Sequence, residues 1–476
     1  QTSLYLAVSS AAISEAQLLN GQINQAWQAL TEKLNRIKRQ RFKQQLLNEF
    51  DFFFEPGEQG GKQLRDIITG EEFTSAELAG VEYLKNEKTK PVKADTYKQV
   101  QLGRALRKAD YAVVAKGEPF PFWKQDTIEP LKLGYHHYFV SAQELAKQQK
   151  ALQKAGQQVT ISQINVPETA GSISDHNRVM LYGGNRFPQD QEGHPKLFDD
   201  LTEGTSLKRL AYLRMDVDNL GQIFIKGLNE ENRTFAAYST LSRSLDWFFK
   251  GYLNTIWNSK PEFKEHTFIL YSGGDDLFLV GRWDCILEVA EIIREKFGLW
   301  TCHNPALGLS GGAAMVGGKF PIAKAAEMAE HAEKKAKSHH WPDKNNSERE
   351  KDAFAIQGYA LSWSYEFPLV KGLKMQLTDL IKKENMPHSI LGKISILYEQ
   401  MKQQQMHGQN ESWRWMIAYD FGRARERTKS EAGKQFLEDV KKAVFSEEYK
   451  GEKIRSNYKF LELLHIAARW AELEIR

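Results

Sequence analysis

Tyr271-Ser272-Gly273-Gly274-Asp275-Asp276-Leu277-Phe278 sets two acidic side chains on a glycine turn between two apolar runs. The flanks, His266 to Tyr271 and Leu277 to Val280, are short and rich in β-formers such as Phe268, Ile269, Leu270, Phe278 and Val280. Gly-Gly between such runs predicts a hairpin, because glycine takes positive φ without steric cost. Two strands then meet with the carboxylates at the tip. Adjacent ionised aspartates repel each other, and a divalent cation relieves that repulsion; hard oxygen ligands suit Mg²⁺ or Mn²⁺. A solvated polar turn has the same local pattern when taken alone.

Upstream, Leu210-Ala211-Tyr212-Leu213-Arg214-Met215 reads as a buried strand ending in Asp216-Val217-Asp218-Asn219-Leu220-Gly221. Ile223, Phe224, Ile225 and Leu228 then predict the opening of a helix. A strand that ends in a carboxylate and hands over to a helix start offers a metal ligand and several N–H donors for phosphate. Asp218 or Asn219 is expected to be the helix cap, while Asp216 sits where a catalytic acid of a central sheet would be placed. An acid-ended strand, a helix and then an acid-tipped hairpin is the layout of nucleotidyl-transfer palm folds, in which two metal ions activate a hydroxyl and stabilise leaving pyrophosphate.

Further motifs extend the pattern. They include Leu197-Phe198-Asp199-Asp200-Leu201, Leu309-Ser310-Gly311-Gly312-Ala313, Lys319-Phe320-Pro321-Ile322, Ala332-Glu333 to Ala336-Lys337, and Phe354-Ala355-Ile356-Gln357-Gly358-Tyr359-Ala360-Leu361-Ser362-Trp363. From about Phe198 to Trp363 the chain resembles the second Palm domain of the large subunit of type III CRISPR effector complexes, the Csm type above all. Lys108-Ala109-Asp110-Tyr111-Ala112-Val113-Val114 resembles the linker region of the same family.

The resemblance implies an activity that joins ATP 3′ to 5′ into cyclic oligoadenylate when the complex binds a matching target RNA. By it, Asp216, Asp275 and Asp276 would hold the metals. Ser272, Gly273 and Gly274 would shape the nucleotide pocket, and Asn219, Leu220 and Gly221 would cradle the triphosphate. Lys337 resembles a lysine that reaches the phosphates; it ends a helix read from Ile322, Ala325, Met328, Ala329, Ala332 and Ala336. The alternative, less favoured, is a solvated lysine in a run with Lys334 and Lys335. The implied partners are CRISPR RNA, target RNA, the small subunit and the subunit that binds the repeat tag.

Composition frames this reading. A chain of 476 residues with 41% hydrophobic content can bury several cores, and a net charge of +4 leaves nucleic-acid contact to local patches. One candidate is Lys33, Arg36, Lys38, Arg39, Arg41 and Lys43, on a helix whose other face carries Trp27, Leu30, Leu34 and Ile37; a solvated face is the simpler account. Cys285 and Cys302 are the only cysteines and form no C-x-x-C pair, so no structural zinc is expected. The family's linker domain often holds zinc through cysteine pairs, and Asp66-Ile67-Ile68-Thr69-Gly70-Glu71-Glu72 stands in the place of one. That domain is expected to be held by packing alone, and one zinc per molecule in metal analysis would contradict this. Many relatives carry a His-Asp nuclease motif, and this sequence contains no His-Asp dipeptide.

The fold expected is α+β: a ferredoxin-like Palm (cyclase/polymerase) domain with an irregular linker domain and a C-terminal helical bundle. Residues 1–45 are read as the remainder of a first Palm, whose front half is expected to lie outside this chain and whose strand is Leu4-Tyr5-Leu6-Ala7-Val8. Residues 46–204 form the linker, with polar stretches at Pro56 to Lys62 and Asn86 to Lys93 and an extended run at Tyr135 to Val140. Residues 205–365 form the second Palm, a sheet with helices on one side, with a mobile loop at His339 to Glu350; residues 366–476 form the bundle. No membrane span or signal peptide is read, and cytoplasm is the expected compartment. Two other functions fit the motifs: a nucleotide-binding scaffold with weak turnover, and a free-standing palm enzyme such as a diguanylate cyclase or a polymerase. Asp275-Asp276, where diguanylate cyclases carry glutamate in one or both places, speaks against the last.

Overall fold

Two stretches of the chain carry enough β-branched and aromatic residues to build sheets of their own, and they fall in different compact units. The structure, a computed structural model, describes residues 9–15, 23–40, 43–48, 64–84, 90–123, 135–154, 156, 158–164, 186–191, 195–229, 232–342, 347–407, 412–454 and 456–475. One unit is Gln1–Gly183 with Asn229–Tyr238; the other is Gly184–Leu228 with Ser239–Arg476. Leu4 to Val8, Pro56 to Lys62 and Arg41 lie outside the described residues.

In the first unit, helix α1 (Ile23–Arg39) carries Lys33, Arg36, Lys38 and Arg39 on exposed positions, as a solvated face predicts. Trp27, expected on the covered face, is exposed. Strands β1 (Glu82–Tyr83) and β2 (Pro91–Val92) pair antiparallel, so part of the segment read as irregular at Asn86 to Lys93 is strand. After α2 (Ala94–Lys108), β3 (Tyr111–Lys116) is flanked by β4 (Tyr135–Val140) and by β5 (Val159–Gln163), with α3 (Ala142–Lys154) between the last two in sequence. Val113, Ala115, Phe120, Trp123, Tyr138 and Val140 make its core, and the Phe120 N–H donates to the Tyr138 hydroxyl at 2.6 Å.

In the segment expected to stand in the place of a cysteine pair, Asp66 is a buried hub whose hydrogen bonds add to the packing. Its Oδ1 accepts from the N–H groups of Ile68 (2.8 Å) and Thr69 (2.9 Å), and its Oδ2 from that of Lys93 (2.7 Å). Burial pushes the carboxyl pKa up, but the hydrogen bonds from Lys93, Thr69, Thr96 and Ile68 outweigh it and hold it below the usual value. One carboxylate thus closes two loops that differ in chain position by 27 residues.

The second unit is built on β6 (Leu210–Val217). Leu210 and Tyr212 face one core and Ala211, Leu213, Met215 and Val217 the other, which is why the run is apolar on both faces except at Arg214 and Asp216. The chain continues through α4 (Leu220–Lys226), α5 (Phe235–Asp246), a π-helix (Trp247–Tyr252), α6 (Leu253–Asn258) and α7 (Pro261–His266). The hairpin β7 (Thr267–Gly273) and β8 (Asp276–Arg282) follows, then α8 (Trp283–Trp300), β9 (Leu309–Val316) and α9 (Ile322–Lys337). Four of these strands lie in the order β9-β6-β8-β7, all antiparallel, which is the ferredoxin-like βαββαβ arrangement.

Beyond Lys337, β10 (His340–Pro342) pairs with β11 (Glu348–Glu350). The segment read as a mobile loop therefore has paired strands at its two ends, residues 343–346 lying outside the described residues, and buried Trp341 anchors it, its indole N–H donating to the Lys351 carbonyl at 2.8 Å. Strand β12 (Ala353–Ile356) joins β9 in parallel and β13 (Tyr359–Ser362) closes that edge. Helices cover both faces of the sheet, not one. Trp283, Ile286, Val289 and Ile293 of α8 fill one face, and Ala325 and Ala329 of α9 the other. Of the residues whose spacing marks this helix, Ile322 and Met328 are exposed, because the face that meets β9 is the small-residue one.

That close approach has a cause in sequence. A Cβ on Gly312 would lie 2.3 Å from the Glu333 nitrogen and 2.4 Å from the Ala332 carbonyl carbon, so only glycine lets α9 rest on β9. Five helices complete the unit: α10 (Glu366–Lys382), α11 (Ser389–His407), α12 (Ser412–Arg427), α13 (Glu431–Ser446) and α14 (Asn457–Ile475). Leu373, Leu377, Leu380 and Ile381 enter their core while Met375 stays exposed, and Trp413, Phe421, Phe436, Val440, Phe460 and Leu464 are buried in the core of the same unit as the sheet.

Candidate active site

Strand register brings the acids together. Asp216 of β6 is the direct cross-strand partner of Asp276 of β8, and such partners point to the same face of an antiparallel pair. Asp275 sits at the tip beside Gly274, whose φ of 68° is the left-handed conformation the turn requires. The Asp275 carbonyl accepts from the Val217 N–H at 3.1 Å, which ties the tip to the end of β6. Burial first, and then the charges of Asp216 and Asp276, hold the Asp275 carboxyl above its usual pKa.

Lys337 is half-buried and paired, unlike a solvated lysine. Its Nζ donates to Asp216 Oδ2 and lies 3.4 Å from Glu333. Burial works against the ammonium, but the hydrogen bond and charge of Asp216, with Glu333 behind, outweigh it and hold the lysine pKa above the ordinary value. Glu333 in turn lies 3.4 Å from the Arg214 guanidinium, and its own carboxyl is pushed up by burial. The Tyr271 hydroxyl donates to Asp276 Oδ2 at 2.8 Å; burial and that bond raise the phenol to about 12.

Ser272 does not face the carboxylates. It pairs with Leu277 on the opposite side of the hairpin, and its hydroxyl is spent on the Phe249 carbonyl at 2.6 Å. The cap expectation also needs correcting. Asn219 occupies the cap position of α4 at φ 57° but makes no side-chain cap bond, and its Oδ1 accepts from Lys351 Nζ instead. Asp218 is buried: its Oδ2 accepts from the Ser310 hydroxyl and the Asp352 N–H, both at 2.9 Å, and burial raises its pKa to about 6. Leu220 and Gly221 open the helix as expected, although it has 7 residues and ends before Leu228.

Tyr271, Glu333, Arg214, Asp246, Ser310 and Asp352 received no role from the motifs, and Asp218 only that of a helix cap. Tyr271 heads the hairpin motif and Glu333 is one helical turn before Lys337, so spacing could have found those two. Asp352 is held by Arg294 through two 2.7 Å bonds, a contact across 58 residues that no local pattern records.

Among the described residues, no three His, Cys, Asp or Glu side chains are drawn into a cluster able to hold a metal ion. The donor set nevertheless fits a hard divalent cation: every candidate ligand is a carboxylate, Asp216 and Asp276 share a face, and Asp275 carries charge repulsion that Lys337 only partly offsets.

A ferredoxin-like sheet with aspartates at paired strand ends and a lysine beside them is the arrangement of a palm domain. Residues 209–348 match the family described as Cas10/Cmr2, second palm domain. The chain is 36% identical over 183 residues to the CRISPR system single-strand-specific deoxyribonuclease Cas10/Csm1 (subtype III-A) of Methanocaldococcus jannaschii, a match spanning 36% of this chain and 23% of that protein. An apo Csm1-Csm4 cassette shares the fold with a TM-score of 0.60 at 17% identity, over 97% of this chain and 57% of that one. A Csm1-Csm4 cassette in complex with pppApApA gives 0.52 at 19% identity, over 80% of this chain and 51% of that one. Over part of its length this chain is thus similar to Cas10/Csm1 proteins of subtype III-A, and it spans well under two thirds of their length. Among the described residues, no helix is long and apolar enough to cross a membrane.

Proposed function

We propose that the chain is the cyclase part of a type III effector large subunit, joining ATP into cyclic oligoadenylate when target RNA is bound. The observation that carries this is the pairing of Asp216 with Asp276 on one sheet face, with the Lys337 ammonium on Asp216. The fold-level relative in complex with pppApApA supports it. Mg²⁺ or Mn²⁺ held by Asp216, Asp275 and Asp276 would lower the pKa of an attacking ribose 3′-hydroxyl and offset the charge of departing pyrophosphate.

The chain's own residues supply the rest. Phosphoryl transfer needs alignment and charge neutralisation more than covalent help, so no nucleophilic side chain is required. Lys337, held charged, turns from Asp216 to a phosphate oxygen as nucleotide enters. Tyr271 keeps the Asp276 carboxylate oriented, and Asp218 with Ser310 and Asp352 holds the turn that carries Asn219, Leu220 and Gly221 toward the triphosphate. Gly273 and Gly274 leave the tip open to the nucleotide, while Ser272 shapes the pocket only through the hairpin it anchors. CRISPR RNA, target RNA, the small subunit and the repeat-tag-binding subunit are the partners of this reading. The relative's name includes a deoxyribonuclease activity; with no His-Asp dipeptide in this sequence, none is proposed here.

The test is to incubate the assembled complex with ATP, Mg²⁺ and target RNA and to resolve the products. Oligoadenylates are expected from the wild type and are lost with Asp275→Ala and with Asp276→Ala. Equal yields from wild type and both variants would remove the reading, and products from GTP alone would favour a diguanylate-type enzyme.

A further inference from the structure

The π-helix Trp247–Tyr252 runs against the acidic hairpin. Such i→i+5 turns are rare and gather at functional sites, because they free a carbonyl and displace the side chains that follow. Here the Phe249 carbonyl takes the Ser272 hydroxyl at 2.6 Å, which fixes the hairpin from its apolar face. Asp246, just before the π-helix, accepts from the Gly274 N–H at 3.1 Å and so holds the tip itself.

Lys250 leaves this helix and reaches the same tip. Its Cε lies 3.0 Å from where a Cβ on Gly273 would stand, and its Nζ rests on Asp246 Oδ1 at 2.9 Å. Gly273 is the register partner of Asp276, so the lysine passes over the edge strand toward the carboxylate side. The ion pair is a poor explanation for the placement. With the two side chains 36% and 39% exposed and four residues apart on a helix, it contributes little to stability.

We propose that Lys250 is a second phosphate-binding cation of this site, stored on Asp246 and transferred to a nucleoside triphosphate when one docks at the hairpin. The proposal rests on the nucleotide-binding reading above. Lys337 approaches from α9 on one side of the acids, and Lys250 from the π-helix at the sheet edge. Two cations on opposite sides match a chain of phosphates better than one does. A Cβ at 273 would press on the lysine stem, with its Cε 3.0 Å away.

The experiment measures ATP and AMP binding by calorimetry, with Mg²⁺, for the effector complex containing the wild-type chain, Lys250→Met or Lys250→Arg. Lys250→Met is expected to weaken ATP binding by about tenfold or more, the loss of a charge-assisted phosphate contact, and to leave AMP binding within about twofold. Lys250→Arg is expected to restore most of the ATP affinity. A purely structural lysine would move ATP and AMP together, and that result overturns the proposal. So does ATP binding by Lys250→Met equal to wild type. A wild-type complex that binds neither nucleotide overturns the functional reading and this inference with it.

Discussion

Asp275 and Asp66 show how burial acts on two carboxylates with opposite outcomes. At Asp275 no ring of N–H donors offsets burial, and the neighbouring Asp216 and Asp276 charges add to it, so the site favours an arriving cation. At Asp66 the N–H groups of Ile68, Thr69 and Lys93 more than offset burial, so the charge is satisfied and the group is structural. Asp66→Ala strips three backbone donors of their acceptor and is expected to destabilise the first unit by about 1–3 kcal/mol. Urea unfolding followed through the Trp123 emission would show it. An unchanged midpoint would mean that water replaces the carboxylate at no cost. Asp66 was visible in the sequence only as an absent cysteine pair; its donors come partly from Lys93, across 27 residues, which no local pattern reveals.

At the scale of elements, the decisive contact is α9 on β9. Gly312 permits it, and the same helix delivers Lys337 to Asp216 at its last turn. Gly312→Ala forces the helix outward, with an expected cost of about 1–3 kcal/mol and a Lys337 withdrawn from Asp216. A lowered melting temperature together with reduced oligoadenylate synthesis is the expected pair of results. Full activity in a destabilised variant would show that Lys337 reaches its target by another route. The helix itself was legible from its alanine spacing. Its buried face was not fully so, because Ile322 and Met328 satisfy the same periodicity yet lie just off the contact line with the sheet.

Across the second unit, a buried charge cluster joins the sheet domain to the helices that follow. Glu366 opens α10; its Oε2 lies 2.6 Å from His339 Nε2 and accepts from the Ser362 N–H at 2.7 Å, and its Oε1 lies 3.0 Å from Lys459 of α14. Burial alone would raise its pKa, but His339, Lys459 and the Ser362 N–H outweigh it and bring the carboxyl down to about 2. A depressed carboxyl contributes stability above its unfolded pKa and loses it as pH falls through the folded one. The window is therefore from about 4.5 down to about 2. Glu366→Gln is expected to cost about 1–3 kcal/mol at pH 7 by removing the carboxylate that His339 and Lys459 share, Lys459 keeping Glu462 at 2.7 Å, and to flatten the acid limb of a stability–pH curve in that window. A variant with the wild-type acid limb would show that other carboxylates set it. By itself the sequence determined the acid-ended strand, the Gly-Gly-Asp-Asp hairpin and the helix ending in Lys337, because each is a short-range pattern of period and turn chemistry. Tertiary structure alone decided which carboxylates are spent on the fold and which are left to the cluster around Lys337. Asp218 and Asp216 are two positions apart in one strand end, and only contacts with Ser310 and Asp352, 92 and 134 residues away, make the first structural and leave the second to Lys337.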